Sequence, residues 1–423
     1  MNFDIKKYEN EMISNLQKLL RIKSVEDFST ATDEMPYGEG PYRCLELVLN
    51  LCDKLGMRTE NLDGHVGYAE VGDGKEMIAC LTHLDVVPEG DLDAWIHPPY
   101  DAVIEGGKLY GRGTSDNKSP AIASIYALKA MMDSGIKLNK RIRLIFGTNE
   151  ESGFGCMAHY VKVAEVPTAG FTPDAVFPII HGEKGIIQLT LKVDRKDFPY
   201  DVLGGTAANS VPDKCILKGK YSGEWSGKSA HASTPDEGKN AISKMFIDLK
   251  EKSNDKLVVD YNKLIADTND GSLMGADDCD DYGRLTMNIG TIQSTDDSIV
   301  FGVDIRYPIS SQYEEVMRKI NIGLEGSVFK IDNIFHKGPI YYELDHPLVQ
   351  KLLSAYQEVT NDYESEPMTM GGGTYARAMP NLIAFGAHFP QDEPCAHQPN
   401  EFIYVKRIVQ QAEIYCKAFK KLL

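Results

Sequence analysis

The sequence predicts an α/β fold in which a main domain, a mixed sheet flanked by helices, is interrupted by an inserted α+β domain. Three observations predict it. Up to about residue 182, short apolar runs alternate with helical stretches, the pattern of an α/β layer fold. From about Lys184, apolar and polar residues alternate singly, as in strands with one wet face. Near residue 346 an amphipathic helix and a short apolar run return. The expected division is residues 1–186 and 341–423 for the main domain and 187–340 for the insertion.

The elements follow in order. Ile5, Tyr8, Met12, Leu16, Leu19 and Leu20 recur at helical spacing, so the chain opens on an amphipathic helix. Residues 77–84 (MIACLTHL) read as a strand, 119–134 as a helix and 141–148 (RIRLIFGT) as a second strand. Residues 174–180 (DAVFPII) are apolar on consecutive positions, as expected of a strand covered on both faces. In the insertion, strands are expected at 185–193, 284–292 and 298–307, with helices at 237–252 and 312–324. A helix over 346–360 and an apolar run at 382–386 complete the main domain. The acidic stretch DDCDD at 277–281 reads as a solvated loop.

Composition excludes several function classes. Of 423 residues, 62 are acidic and 45 are Lys or Arg, an excess of 17 negative charges. That balance repels phosphate backbones and anionic lipid, so neither nucleic acid nor a membrane is an expected partner. No apolar run approaches the ~18 residues of a membrane span. The N-terminus lacks the apolar stretch of a secretory signal, and eight scattered cysteines contain no C-x-x-C pair. Reduced thiols in a cytoplasmic protein are the expectation.

Five features carry candidate chemistry. His83 and Asp85 end the first strand, two residues apart and so on one side of it, the spacing at which a carboxylate can orient a ligating imidazole. Asp116 lies in a glycine-rich turn that runs into a helix. Glu150 and Glu151 follow the strand RIRLIFGT, at the carboxyl end where α/β sheets bind ligands. Asp174 opens DAVFPII, and His397 lies in CAHQPNE. Each alone also reads as a cap, a solvated acid or a satisfied core polar group. Together they form a plausible oxygen and nitrogen site for a divalent metal.

THLDVVP, GRGTSDNK, NEESG, TPDAVFP, GKSAHASTP, GGGTYARAMPN and AHQPNE occur in this order over residues ~80 to ~400. In them the chain resembles the dinuclear zinc metallopeptidase family of ArgE, DapE, aminoacylase and PepV. GGGTYARAMPN and AANSVPD are more similar to its PepV-type dipeptidase branch. The resemblance implies that Asp116 bridges two divalent ions, His83 and Asp174 completing one and Glu151 and His397 the other. It implies Asp85 as the orienting partner of His83 and Glu150 as general base toward a water between the ions. It further implies a ferredoxin-like lid whose His231 donates to the oxyanion. Asn209, Arg306 and the backbone at Gly373 would contact a small dipeptide with a free N-terminus. Zinc is the expected metal, with manganese and cobalt suited to the same donors. A monomer is favoured over a homodimer, although only 21 residues separate Asn209 from His231, a shorter lid segment than the PepV pattern. An N-acyl-amino-acid deacylase on the same scaffold is the alternative activity, and an inactive metal- or peptide-binding module the alternative class.

Overall fold

The computed structural model describes residues 3–266 and 268–423. The chain forms two compact units. One comprises the residues up to His181 with Tyr342–Met368 and Thr374–Leu423; the other comprises Gly182–Tyr341 and Thr369–Gly373. Among the described residues, all eight cysteines are free thiols.

The first unit is organised on a large mixed sheet. Neighbouring strands run Arg58–Leu62, Val66–Val71, Arg141–Gly147, Met77–His83, Ala169–Thr172, Leu382–Ala384 and Ile180–Glu183. Met77–His83 is parallel to both of its neighbours, and Leu382–Ala384 is parallel to Ala169–Thr172; the outer pairs are antiparallel. Every residue of Met77–His83 is buried, as a central strand covered on both faces must be. Lys118–Asp133 packs against this strand and against the C-terminal helix Val405–Leu422. The opening helix, Glu9–Leu20, buries Met12, Leu16, Leu19 and Leu20, the spacing read from the sequence.

One strand lies elsewhere than expected. The sheet takes Ala169–Thr172, before Asp174, and not the apolar DAVFPII run. Pro173 precedes that run and Pro178 interrupts it, and neither has an N–H to give to a ladder, so between them only the two-residue Ala175–Val176 forms. Asp174 therefore follows the carboxyl end of a central strand instead of opening one. Likewise the expected 237–252 helix is Ala241–Leu249, because the Asn240 side chain caps it by accepting the N–H groups of Ile242 and Ser243. The DDCDD loop contains a minimal hairpin, Cys279–Asp280 pairing Gly283–Arg284.

The second unit is a seven-stranded antiparallel sheet: Gly223–Ser226, Lys214–Lys218, Asp201–Gly204, Thr286–Ser294, Ser298–Tyr307, Gly185–Asp194 and Lys330–Lys337. Its last four strands carry a β-α-β-β-α-β connection with Gly185–Asp194, the first of the four in sequence, placed between the third and the fourth, a ferredoxin-like arrangement. Helices Ala241–Leu249, Lys256–Leu264 and Tyr313–Leu324 contribute to a separate apolar core that includes Phe246, Tyr261, Phe301 and Ile320. Gly185–Asp194 alternates buried and more open positions, which is why its sequence alternates.

Candidate metal centre

Three parallel neighbours, Met77–His83, Arg141–Gly147 and Ala169–Thr172, end on the same edge of the first unit's sheet. Their carboxyl ends deliver His83 and Asp85, Glu150 and Glu151, and Asp174. Asp116 arrives from the turn before the helix Lys118–Asp133, and His397 from the loop before Phe402–Tyr404. His397 has a left-handed backbone (φ 63°), uncommon for a residue with a Cβ and a frequent sign of functional constraint.

The central group is Asp116. Its Oδ1 lies 2.9 Å from His83 Nε2 and its Oδ2 lies 3.0 Å from His397 Nε2. On one side, Asp174 Oδ1 is 3.5 Å from His83 Nε2; on the other, Glu151 Oε1 is 3.2 Å from His397 Nε2. The structure thus brings together His83, Asp116, Glu151, Asp174 and His397. Glu150 belongs to the same cluster: one of its carboxylate oxygens lies within 4.8 Å of a ring nitrogen of His83 and of a carboxylate oxygen of Asp174.

Hydrogen bonding fixes the His83 tautomer. Nδ1 is 3.0 Å from the Asp85 carbonyl, which can only accept, so the ring proton sits on Nδ1 and the Nε2 lone pair faces Asp116 and Asp174. The Asp85 carboxylate contributes at longer range, Oδ1 to Nδ1 at 3.5 Å, while its Oδ2 accepts the Glu151 backbone N–H at 3.0 Å. Asp85 therefore orients one imidazole and one glutamate together. Nε2 can meet those oxygens only through a cation: burial opposes charge on the ring, but Asp174 and then Asp116 outweigh it and hold a second proton there well above the ordinary histidine range, and a metal ion would take that proton's place.

Charge supports the same conclusion. Five carboxylates converge here against two imidazoles, and among the described residues no Lys or Arg ion-pairs with any of the five. Burial, reinforced by Asp174, pushes the Glu150 carboxyl well above its ordinary range. Burial and then Asp116 raise Asp174 to about 7. Burial also opposes the charged form of Asp116, but hydrogen bonds from His397 and His83 outweigh it and hold that group well below the carboxylate range. An acid cluster held this way, with nitrogen and oxygen donors only, fits hard-to-borderline divalent ions. Two ligand trios, His83–Asp116–Glu151 and His83–Glu150–Asp174, each have their donor atoms within 4.8 Å of one another.

The family model for peptidase family M20/M25/M40 matches residues 79–421. The chain belongs to this family. It is an M20 metallopeptidase, a hydrolase. Among the M20 chain's relatives, "Putative dipeptidase SAR1836" of Staphylococcus aureus (strain MRSA252) is 33% identical over 463 aligned positions, covering 99% of this chain and 98% of the relative. The fold is similar to that of the M20 metallo-carboxypeptidase Sso-CP2 from Sulfolobus solfataricus (TM-score 0.62, 19% identity, 98% and 100% of the two chains). It is also similar to human carnosine dipeptidase 1 (TM-score 0.60, 15% identity, 99% and 97%). Among the described residues of this M20 peptidase, no helix is long and apolar enough to cross a membrane.

The remaining residues singled out from the sequence lie in the second unit. His231 Nδ1 accepts the Ser233 backbone N–H at 3.2 Å, so the neutral ring carries its proton on Nε2, as a donor. The Asn209 carbonyl accepts the Ala232 N–H at 2.9 Å, which places Asn209 beside His231. Arg306 is anchored by buried Asp304, with Nε and Nη2 at 2.5 and 3.0 Å from its two oxygens, and donates through Nη1 to the Gly371 carbonyl at 3.0 Å. Gly371 leaves no room for a side chain: a Cβ would stand 2.6 Å from that of Ser233. Gly373 closes the same short segment. Asp304 was not singled out from the sequence, although its position two residues before Arg306 on one strand is a readable signal.

Proposed function

We propose that this M20 peptidase is a dipeptidase that hydrolyses the peptide bond of dipeptides with a free N-terminus. In this reading, His83 and Asp174 with Asp116, and Glu151 and His397 with Asp116, hold two divalent ions, zinc first among them. The observation that carries it is the Asp116 carboxylate, with one oxygen at each of two imidazoles. The similarity along nearly the whole length to a relative named as a dipeptidase supports the substrate class. When bound, two such ions bring the pKa of a water between them toward neutrality and polarise the scissile carbonyl.

The chain's own groups do the rest. Glu150, half-buried and with its proton affinity raised, takes the proton of the attacking water and returns it to the leaving amine. His231, in the Nε2–H tautomer, donates to the developing oxyanion. Arg306 offers the substrate carboxylate the N–H groups left over after Asp304 and Gly371 are served, with Asn209 and the Gly373 backbone as further contacts. The second unit acts in this reading as a lid that presents these groups.

A substrate panel tests the proposal. Free dipeptides should be turned over, N-succinyl and N-acetyl amino acids should not, and dialysis against a chelator should abolish activity until zinc, manganese or cobalt is restored. Turnover of the N-acyl substrates instead would make the protein a deacylase. No turnover of either class by the metal-replete protein would leave a binding module.

A further inference from the structure

Asp116 sits on a turn, and groups outside the proposed ligand set hold that turn. Glu401 is completely buried. Its Oε1 accepts the backbone N–H groups of Ser115 and Asp116, at 2.8 and 3.2 Å. Its Oε2 accepts the Gly113 N–H at 3.1 Å and Arg112 Nη1 at 2.8 Å. Arg112, equally buried, donates onward to the carbonyl of Gln398 at 3.3 Å, next to His397, and to that of Pro88 at 3.2 Å, three residues past Asp85. One ion pair therefore ties together three loops that come from distant parts of the sequence and each carry part of the metal centre.

The two residue types suit this arrangement. Four donors converge on one side chain, and only a carboxylate offers two oxygens and a full negative charge to accept them. A glutamine at 401 would turn an N–H₂ group toward backbone N–H donors. Arg112 reaches two loop carbonyls and a carboxylate at once through its planar fork, which the point charge of a lysine does not reproduce. We infer that Arg112 and Glu401 are a positioning pair that sets the spacing of Asp116, His397 and the His83–Asp85 loop, and so the affinity with which the centre holds metal. This rests on the reading of those residues as the ligand set.

The test uses zinc alone as the probe, in competition with a chelator of known affinity, on the full chain and its Glu401→Gln, Arg112→Lys and doubly substituted variants. Denaturant unfolding of each metal-free protein runs alongside. Second-sphere partners typically affect metal affinity by about 10–100-fold, and a loss of that size is expected in each single variant. The double variant should lose little more than the worse single one, because both substitutions break one unit. A purely architectural pair would lower the unfolding midpoints while folded variants kept zinc affinity within about twofold of the parent, and that result overturns the inference. Should Glu401→Gln fail to fold, Arg112→Lys decides by the same criterion. A parent protein that takes up no zinc overturns the two-ion reading first, and this inference with it.

Discussion

Glu150→Gln retains both metal ions and loses about 10²–10⁴-fold in turnover, the usual contribution of a positioned general acid–base. That loss corresponds to about 3–5 kcal/mol of transition-state stabilisation. The substitution keeps the shape of a half-buried side chain and removes only its ability to take and return a proton. Substrate binding is untouched, so kcat falls and KM changes little. The neighbouring variant, Glu151→Gln, behaves in the opposite way: it replaces the carboxylate whose oxygen lies 3.2 Å from His397 Nε2 with a neutral amide and weakens metal retention. Metal content by elemental analysis, together with steady-state kinetics, separates the two. Glu150 also lies within ligand range beside His83 and Asp174, so the comparison is a real one. If both variants shed metal equally, Glu150 is a ligand and its role as base is lost.

Asp116→Asn has the second large effect: the metal content drops from two ions to one or none, and turnover falls below that of Glu150→Gln. An amide offers one neutral oxygen where the carboxylate presents an oxygen to each imidazole side, so nothing remains to link the two halves of the centre. Thermal unfolding reads this independently of activity. A ligand that binds only the folded state stabilises it by about 2.7 kcal/mol at a hundredfold excess over Kd. The parent protein should therefore melt several degrees higher with saturating zinc, and the variant should show less than half that shift. An unaltered shift in the variant would remove Asp116 from the bridging position.

Much of the first unit was legible in the sequence because its central strands are long and apolar. Met77–His83 is buried throughout and Arg141–Gly147 from Ile142 onward, and their sequences carry the matching apolar residues. Ala169–Thr172 does not: four residues, one a glycine whose Cβ would meet the Ala79 carbonyl at 2.4 Å, carry little hydrophobic signal, and the adjacent DAVFPII drew the assignment away. The grouping of Thr369–Gly373 with the second unit has no periodicity to reveal it. His83, Asp116, Glu150, Glu151, Asp174 and His397 could be picked out only as a conjunction, since each is individually ordinary. Glu401 stayed hidden for a physical reason. Three of its four partners are backbone N–H groups, which a string of side-chain letters does not display.

The place of Leu382–Ala384 in the first sheet, between Ala169–Thr172 and Ile180–Glu183, orders the events of biosynthesis. Thr172 leaves the ribosome roughly 210 residues before the strand that must lie beside it. At about 5–20 residues per second the nascent sheet waits about 10–40 s with that interior ladder unfilled. Gly182–Tyr341 has every strand of its own sheet and an apolar core of its own well before then. The interrupting segment therefore condenses first, and the domain it interrupts closes last. Ribosome-bound chains halted near residue 375 should resist protease across 185–337 while residues 1–180 are still cut. Protection appearing first over 1–180 would reverse that order.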